Sequence, residues 1–154
     1  GSLEDYKRVI NTNLIGSFNV MRLAATAMAN NDHAENGDRG AIVLTASVAA
    51  YEGQIGQIPY AASKAGVVGM TIVAARDLAR KNIRVNTIAP GIFDTPLLAR
   101  LPENVRQSLA ATVTNPSRLG EPEEFGKLAA FLLENGYMNG ETVRIDGAIR
   151  MQPR

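Results

Sequence analysis

The five residues Ala41-Ile42-Val43-Leu44-Thr45 constrain this chain more than any other stretch. The run is short, almost wholly apolar and bounded by turn-forming residues. Such a run suits a strand buried on both faces of a parallel sheet, where crossover helices cover each side. Two further segments read as strands: Ile83 to Ile88, stopped by Pro90-Gly91, and Glu141 to Ile145, followed by a turn at Asp146-Gly147. Between and before them lie stretches of helical period. Tyr6, Ile10, Leu14, Phe18, Met21, Ala25 and Met28 recur at steps of four and three, the stripe of one long helix ending near Asn30. Ser2 and Asp5 begin it as a capping box, the hydroxyl and the carboxylate each satisfying a free backbone N–H.

A second helix runs from about Tyr60 to Arg80, and a third from Glu123 to Glu134, with Pro122 near its first turn. Small residues crowd the first half of the second helix, leaving room for another backbone or a ligand. The region 92 to 118 is irregular, with two short helices around Leu97 and Val105. Alternating helices and strands imply βαβ units, a parallel sheet and right-handed crossovers. The expected class is therefore α/β, one domain over residues 1–154. Three strands make a poor open sheet, however, because one edge would lie bare. The pattern reads as part of something larger.

Composition narrows the function. The chain has 16 basic residues and a net charge of +1, with the basic residues scattered rather than gathered in a stripe. That argues against a nucleic-acid partner. No cysteine is present, which excludes disulfides and thiolate metal sites. The single histidine, His33, lies in a polar loop and the acidic residues do not cluster at ligand spacing, so no metal site is expected. No signal-peptide pattern opens the chain, and no apolar run approaches the roughly 18 residues of a membrane span. A cytoplasmic protein with no membrane partner is the expectation. With 5% aromatics and no tryptophan, its core should be aliphatic.

Tyr60 and Lys64 lie one helical turn apart on one face. A free phenol, with a pKa of roughly 10, accepts a proton poorly at neutral pH. A cation about 4 Å away in a partly desolvated cleft favours its anion by on the order of 4 kcal/mol, or about three pKa units. That would fit it for general acid–base catalysis. Alone, the pair reads equally well as a surface lysine beside a packed tyrosine. Ser47 changes the balance. It follows the strand that ends at Thr45-Ala46, so it belongs at the carboxyl end of a parallel strand, where open α/β sheets bind ligands. Tyr60 opens the helix after the same loop. The two hydroxyls can converge on one substrate oxygen, with Ser47 as a donor to a carbonyl or developing alkoxide. The alternative for Ser47 is a turn cap.

Ser47, Tyr60 and Lys64 together resemble the catalytic Ser, Tyr-x-x-x-Lys pattern of the short-chain dehydrogenase/reductase family. Asn11-Thr12-Asn13-Leu14, Ala89-Pro90-Gly91-Ile92-Phe93-Asp94-Thr95 and Asn139-Gly140-Glu141 through Asp146-Gly147 match at the family's intervals. The resemblance covers essentially the whole chain. It implies the C-terminal part of a Rossmann-like, doubly wound parallel sheet, with about three strands and their flanking helices. Asn13 corresponds to the fourth member of the family's catalytic tetrad, its backbone carbonyl implied to hold a water that links Lys64 to solvent. Pro90, Gly91, Phe93 and Thr95, with Tyr60 and Lys64, are implied to contact the cofactor. Ser47 and Tyr60 are implied to contact the substrate. Phe93 packing in the core and Pro-Gly as an ordinary turn are the plain alternatives.

Within the family, the segments TASVAAYEGQIGQIPYAASKAGVVGMT, IAPGIFDTPLL, PSRLGEPEEF and VRIDGAIRMQP most resemble the type-2 3-hydroxyacyl-CoA dehydrogenase branch, also described as 17β-hydroxysteroid dehydrogenase type 10-like. That branch implies NAD, with NADP not excluded, an acyl-CoA or other small-molecule substrate, a place in fatty acid metabolism and a homotetramer. The helices over 3–30 and 60–80, with the last strand, would build the tetramer. Leu97 to Ser117 would form a substrate lid. A 3-oxoacyl carrier-protein reductase is the nearer rival among enzymes, and a non-catalytic oligomerisation piece is the rival outside them. One departure matters. The family's Gly-rich dinucleotide turn is absent, as is the acidic residue that would choose NAD over NADP. These 154 residues are therefore expected to bind dinucleotide poorly and to be inactive alone.

Overall fold

A parallel sheet of three strands in the order β1-β2-β3 forms the middle layer of the structure, a computed structural model that describes all of residues 1–154. β1 spans Gly40–Thr45, β2 spans Ile83–Pro90 and β3 spans Thr142–Ile145, and both pairings are parallel, as predicted. β2 is the central strand and is buried without a break from Ile83 to Ala89. Its side chains alternate between the two faces. Ile83, Val85 and Ala89 join Ile42 and Leu44 of β1 in one aliphatic core. Arg84 and Asn86 point to the other face.

The run that opened the sequence argument is less enclosed than expected. Ile42 and Leu44 are buried, but Ala41 and Val43 are only half-buried. β1 lies at the margin of the sheet, with a strand neighbour on one side only. Its outer flank opens onto a groove. The strand enclosed on both faces is β2.

α1 (Leu3–Ile10) begins at Ser2, whose hydroxyl accepts the Asp5 N–H at 3.1 Å. The reciprocal half of the expected capping box does not form. Asp5 instead accepts the Ser2 hydroxyl proton at 2.9 Å, its side chain being one methylene too short to reach back as glutamate does. The long helix expected to Asn30 is interrupted by a π-helical turn at Asn11–Ile15 before α2 (Gly16–Met28). An extra residue in one turn rotates everything after it by about 100°. Of the counted stripe only Met21 and Ala25 are buried, both after this turn, whereas Tyr6 before it and Phe18 after it are exposed.

α3 (Ile58–Asp77) starts two residues before Tyr60, with Pro59 in its first turn. It buries Ser63, Val67, Thr71, Ala74 and Ala75 against the sheet and α2. Contrary to the expectation from apolar runs, α3 is long and apolar enough to cross a membrane by length and composition. Single polar residues, Ser63 and Thr71 among them, break the run to the eye without lowering its mean. Its buried face is already occupied by the sheet.

The irregular region resolves into a 3-10 turn at Leu98–Arg100 and α4 (Glu103–Ala111), at the two predicted points. α5 (Pro122–Glu134) then covers the second face of the sheet. Arg84 fixes it there. The guanidinium donates to the carbonyls of Leu132 (2.8 Å), Leu133 (2.7 Å) and Met138 (2.9 Å), and pairs with Asp38 at 2.9 Å. A buried cation thus satisfies the unpaired carbonyls at the end of α5, where a helix favours positive charge. The sheet is covered on both faces, and its carboxyl-terminal end is left for the loops.

Candidate active site

β1 ends at Thr45, and the Ala46 N–H still reaches the Ile88 carbonyl at 2.8 Å, so the chain stays in register with β2 up to Ser47. Ser47 is buried and caps a short 3-10 turn, its Oγ accepting the Ala49 N–H at 3.1 Å. The turn-cap alternative is therefore true, and it leaves a consequence. With a lone pair engaged by Ala49, the hydroxyl proton remains available to donate. Tyr60 stands in the first turn of α3, 36% exposed.

Both side chains line one cleft of about 740 Å³ at the carboxyl end of β1 and β2, whose walls also include Pro90, Gly91, Phe93 and Thr95. The sequence thus brought six of its site residues to one place. Leu97 and Leu98, from the expected lid segment, also line it, and Phe125 and Met151 do so without having been anticipated. They carry no chemistry of their own, so no motif could have marked them.

Asn13 and Lys64 lie elsewhere. They line a second groove of about 550 Å³ that runs between α2 and the free flank of β1. Lys64 Nζ donates to the Thr45 carbonyl at 3.1 Å and stands 5.7 Å from the centroid of the Tyr60 ring. Burial lowers its pKa, because desolvation disfavours the ammonium. The first turn of α3 therefore links the two cavities, Tyr60 on one and Lys64 on the other.

Asn13 sits in the π-helical turn. Its Nδ2 donates to Ser63 Oγ at 3.2 Å, and Ser63 in turn donates to the Tyr60 carbonyl at 2.7 Å. The Asn13 carbonyl, implied by resemblance to hold a water, accepts the Ser17 hydroxyl at 2.6 Å. Ser63 is the residue the sequence reading missed. It was visible only as one of the small residues of α3, although it is completely buried.

The remaining residues shape the cleft. The Gly91 N–H donates to the Ile145 carbonyl at 2.9 Å, and an added Cβ at Gly91 would lie 2.8 Å from Asp146 Cβ. Phe93 meets Phe125 edge to face at 6.1 Å and rests on Gly120, where a Cβ would fall 2.8 Å from the ring. It packs, and it also lines the cleft. The floor of the loop from Ser47 to Tyr60 is held from the far end of the chain. Arg144 pairs with Glu52 at 2.5 Å and Asp146 at 2.7 Å, and stacks over Tyr51 at 5.3 Å. Ile55 N–H donates to the Pro153 carbonyl at 2.9 Å, and Gln54 Nε2 to the Gln152 carbonyl at 3.0 Å.

An apolar cleft with a few convergent polar groups suits a small ligand. Tyr60 supplies a hydroxyl fit for the sugar end of a nicotinamide nucleotide, and Phe93 and Thr95 supply a wall, whereas the Lys64 ammonium lies in the other groove. For the pyrophosphate the chain carries no Gly-rich turn after a strand. The fit is to the nicotinamide end alone.

The family model described as enoyl-(acyl carrier protein) reductase matches residues 1–149. The chain is 59% identical to 3-hydroxyacyl-CoA dehydrogenase type-2 of Bos taurus and 57% identical to that of Homo sapiens, in each case over 99% of this chain and 58% of the relative. It is 41% identical to the 3-oxoacyl-[acyl-carrier-protein] reductase of Thermotoga maritima, over 95% of this chain and 57% of that protein. The crystal structure of 3-hydroxyacyl-CoA dehydrogenase type-2 from Mycobacterium avium superposes with a TM-score of 0.97 at 52% identity, covering all of this chain and 60% of that one. The chain spans just under three-fifths of the length of the curated relatives it matches.

Proposed function

Because the chain belongs to the short-chain dehydrogenase/reductase family, we propose that it carries the catalytic residues of a nicotinamide-dependent oxidoreductase that interconverts a secondary alcohol and a ketone, with a 3-hydroxyacyl-CoA as substrate. One observation carries the reading: Ser47 and Tyr60, from different elements, line the same cleft beyond the carboxyl end of the sheet. The similarity to 3-hydroxyacyl-CoA dehydrogenases type-2 supports the substrate class.

Each residue then has a role. Ser47, its oxygen steadied by the Ala49 N–H, donates its proton to the substrate oxygen and positions it. Tyr60 takes the proton of the substrate hydroxyl during oxidation and returns it during reduction. Lys64, anchored on the Thr45 carbonyl, keeps a positive charge beside the Tyr60 ring while that proton moves. Asn13, through Ser63, fixes the turn that presents both. Tyr60, Lys64, Pro90, Gly91, Phe93 and Thr95 would hold the nicotinamide end of NAD, or of NADP. When bound, that group supplies the hydride acceptor.

These 154 residues carry no Gly-rich turn for the pyrophosphate, so they are expected to turn over little by themselves. The deciding experiment replaces Tyr60 by Phe in the whole protein and measures NAD reduction with a 3-hydroxyacyl-CoA. Turnover should fall by about 10²- to 10⁴-fold with the thermal transition unchanged. Turnover equal to that of the parent would refute the assignment.

The Thermotoga maritima relative favours a second reading, reduction of a carrier-protein thioester. Comparing CoA and carrier-protein thioesters, each with both nicotinamide cofactors, separates the two. Assembly into a homo-oligomer belongs to the same proposal. It is supported by the apolar side chains that α1, α2 and α3 leave exposed, among them Leu3, Tyr6, Phe18 and Val73.

A further inference from the structure

α4 has no buried residue, yet it stands beside the cleft wall formed by Leu97 and Leu98. What ties it down is Arg106. Nη2 reaches Asp94 at 2.8 Å, and Asp94 sits between Phe93 and Thr95 on the cleft loop. Nη1 reaches Glu103, in the first turn of the same helix, at 3.3 Å. Asp94 is in turn fixed by its own N–H, which donates to the Gly120 carbonyl at 2.8 Å. The third nitrogen breaks the pattern. Arg106 Nε is sealed from solvent and has no acceptor, the only buried side-chain atom of the chain in that state. A buried donor without a partner is costly, so the closed arrangement is held by one ion pair and opposed by one unmade hydrogen bond.

We infer that the Arg106–Asp94 pair is a weak latch that positions α4, and with it the Leu97–Leu98 wall, over the bound substrate. Arg106 is a positioning residue that touches no reacting atom. The substrate role of the cleft rests on the function proposed above; the latch itself does not. The pair is partly exposed, with side chains 26% and 39% accessible, so the latch opens readily. Its loss should free α4 without loosening the sheet.

Amide hydrogen exchange on this chain, without substrate or cofactor, tests the latch independently of any activity. Arg106→Met and Asp94→Asn should each speed exchange in residues 103–111 by about five- to tenfold, and the double variant no further than Arg106→Met, because the bond of Asp94 to Arg106 is already lost there. Arg106→Lys should restore most of the protection. Amides of β1 and β2 should not change. Unchanged exchange in α4, additive effects, or an equal loss of protection in the sheet would each overturn the latch. In the whole protein, Arg106→Met should raise KM for the acyl substrate several-fold with kcat held. An unchanged KM would overturn the link to the cleft wall. A parent protein that does not oxidise 3-hydroxyacyl-CoA at all would instead sink the proposed function and leave the exchange result standing.

Discussion

The carboxamide of Asn13 donates to the hydroxyl of Ser63, 50 residues away in sequence, and Ser63 passes its own proton to the carbonyl of Tyr60. A π-helical turn is thereby joined to the turn that presents the phenol. Ser63→Ala should leave the Asn13 amide and the Tyr60 carbonyl without these partners. A loss of about 1–2 kcal/mol in urea unfolding is expected, with turnover of the whole protein reduced several-fold. Unchanged stability would mean that water replaces both bonds.

Arg84 is the only charged residue buried in the fold. Arg84→Met would leave Asp38 and the carbonyls of Leu132, Leu133 and Met138 without their cation. Breaking a buried pair by removing one partner costs about 3–5 kcal/mol, so the chain should unfold at markedly lower denaturant. Far-ultraviolet circular dichroism during a urea titration reads this directly.

Acid should weaken the site loop before the sheet. The hydrogen bond from Arg144, aided by the Met151 N–H, holds the Glu52 carboxyl below its ordinary value of 4.5. A carboxyl lowered by folding contributes stability that is complete above its ordinary value and is lost as pH falls through the folded one. Glu124, lowered to about 2 chiefly by the Arg118 hydrogen bond, follows the same sign, but it is fully exposed. Glu52→Gln should therefore flatten the fall in unfolding free energy between about pH 5 and pH 3. A slope identical to the parent's would show that Glu52 is not linked to folding.

Gly91 admits no side chain. A Cβ there would press on Asp146 Cβ at 2.8 Å and on its Cα at 3.0 Å, a backbone atom with nowhere to move. Gly91→Ala should cost about 1–3 kcal/mol by overpacking, and should displace the loop that carries Phe93 and Thr95. Thermal unfolding checks the first effect. The second should appear as weaker cofactor binding in the whole protein.

Much of this was legible in the chain itself. The three strands, their parallel pairing and the meeting of Ser47 with Tyr60 at one cleft follow from runs, turns and spacing, while the place of Pro90, Gly91, Phe93 and Thr95 beside them was implied by the family resemblance. Local signals of that kind are strong wherever a residue's neighbours in sequence are also its neighbours in space. What escaped depends on distant partners. Nothing near Arg84 announces that it will hold the end of a helix about 50 residues later. The π-helical turn at Asn11–Ile15 looks like ordinary helix in sequence, and the contacts it makes, Leu14 on Gly66 and Asn13 on Ser63, are with residues about 50 positions away. The burial of β1 was overestimated because an apolar run does not reveal whether a neighbour lies on each side.

The bonds from Ile55 to Pro153 and from Gln54 to Gln152 bear on how the protein is made. The segment carrying Ser47 is synthesised before the contacts that give it shape, which arrive about 100 residues later. On the ribosome the sheet can begin to assemble while this loop is still without its supports. Catalytic competence should therefore wait for the segment from Met151 to Pro153, and a nascent chain stalled before Met151 should hold an open, unformed cleft.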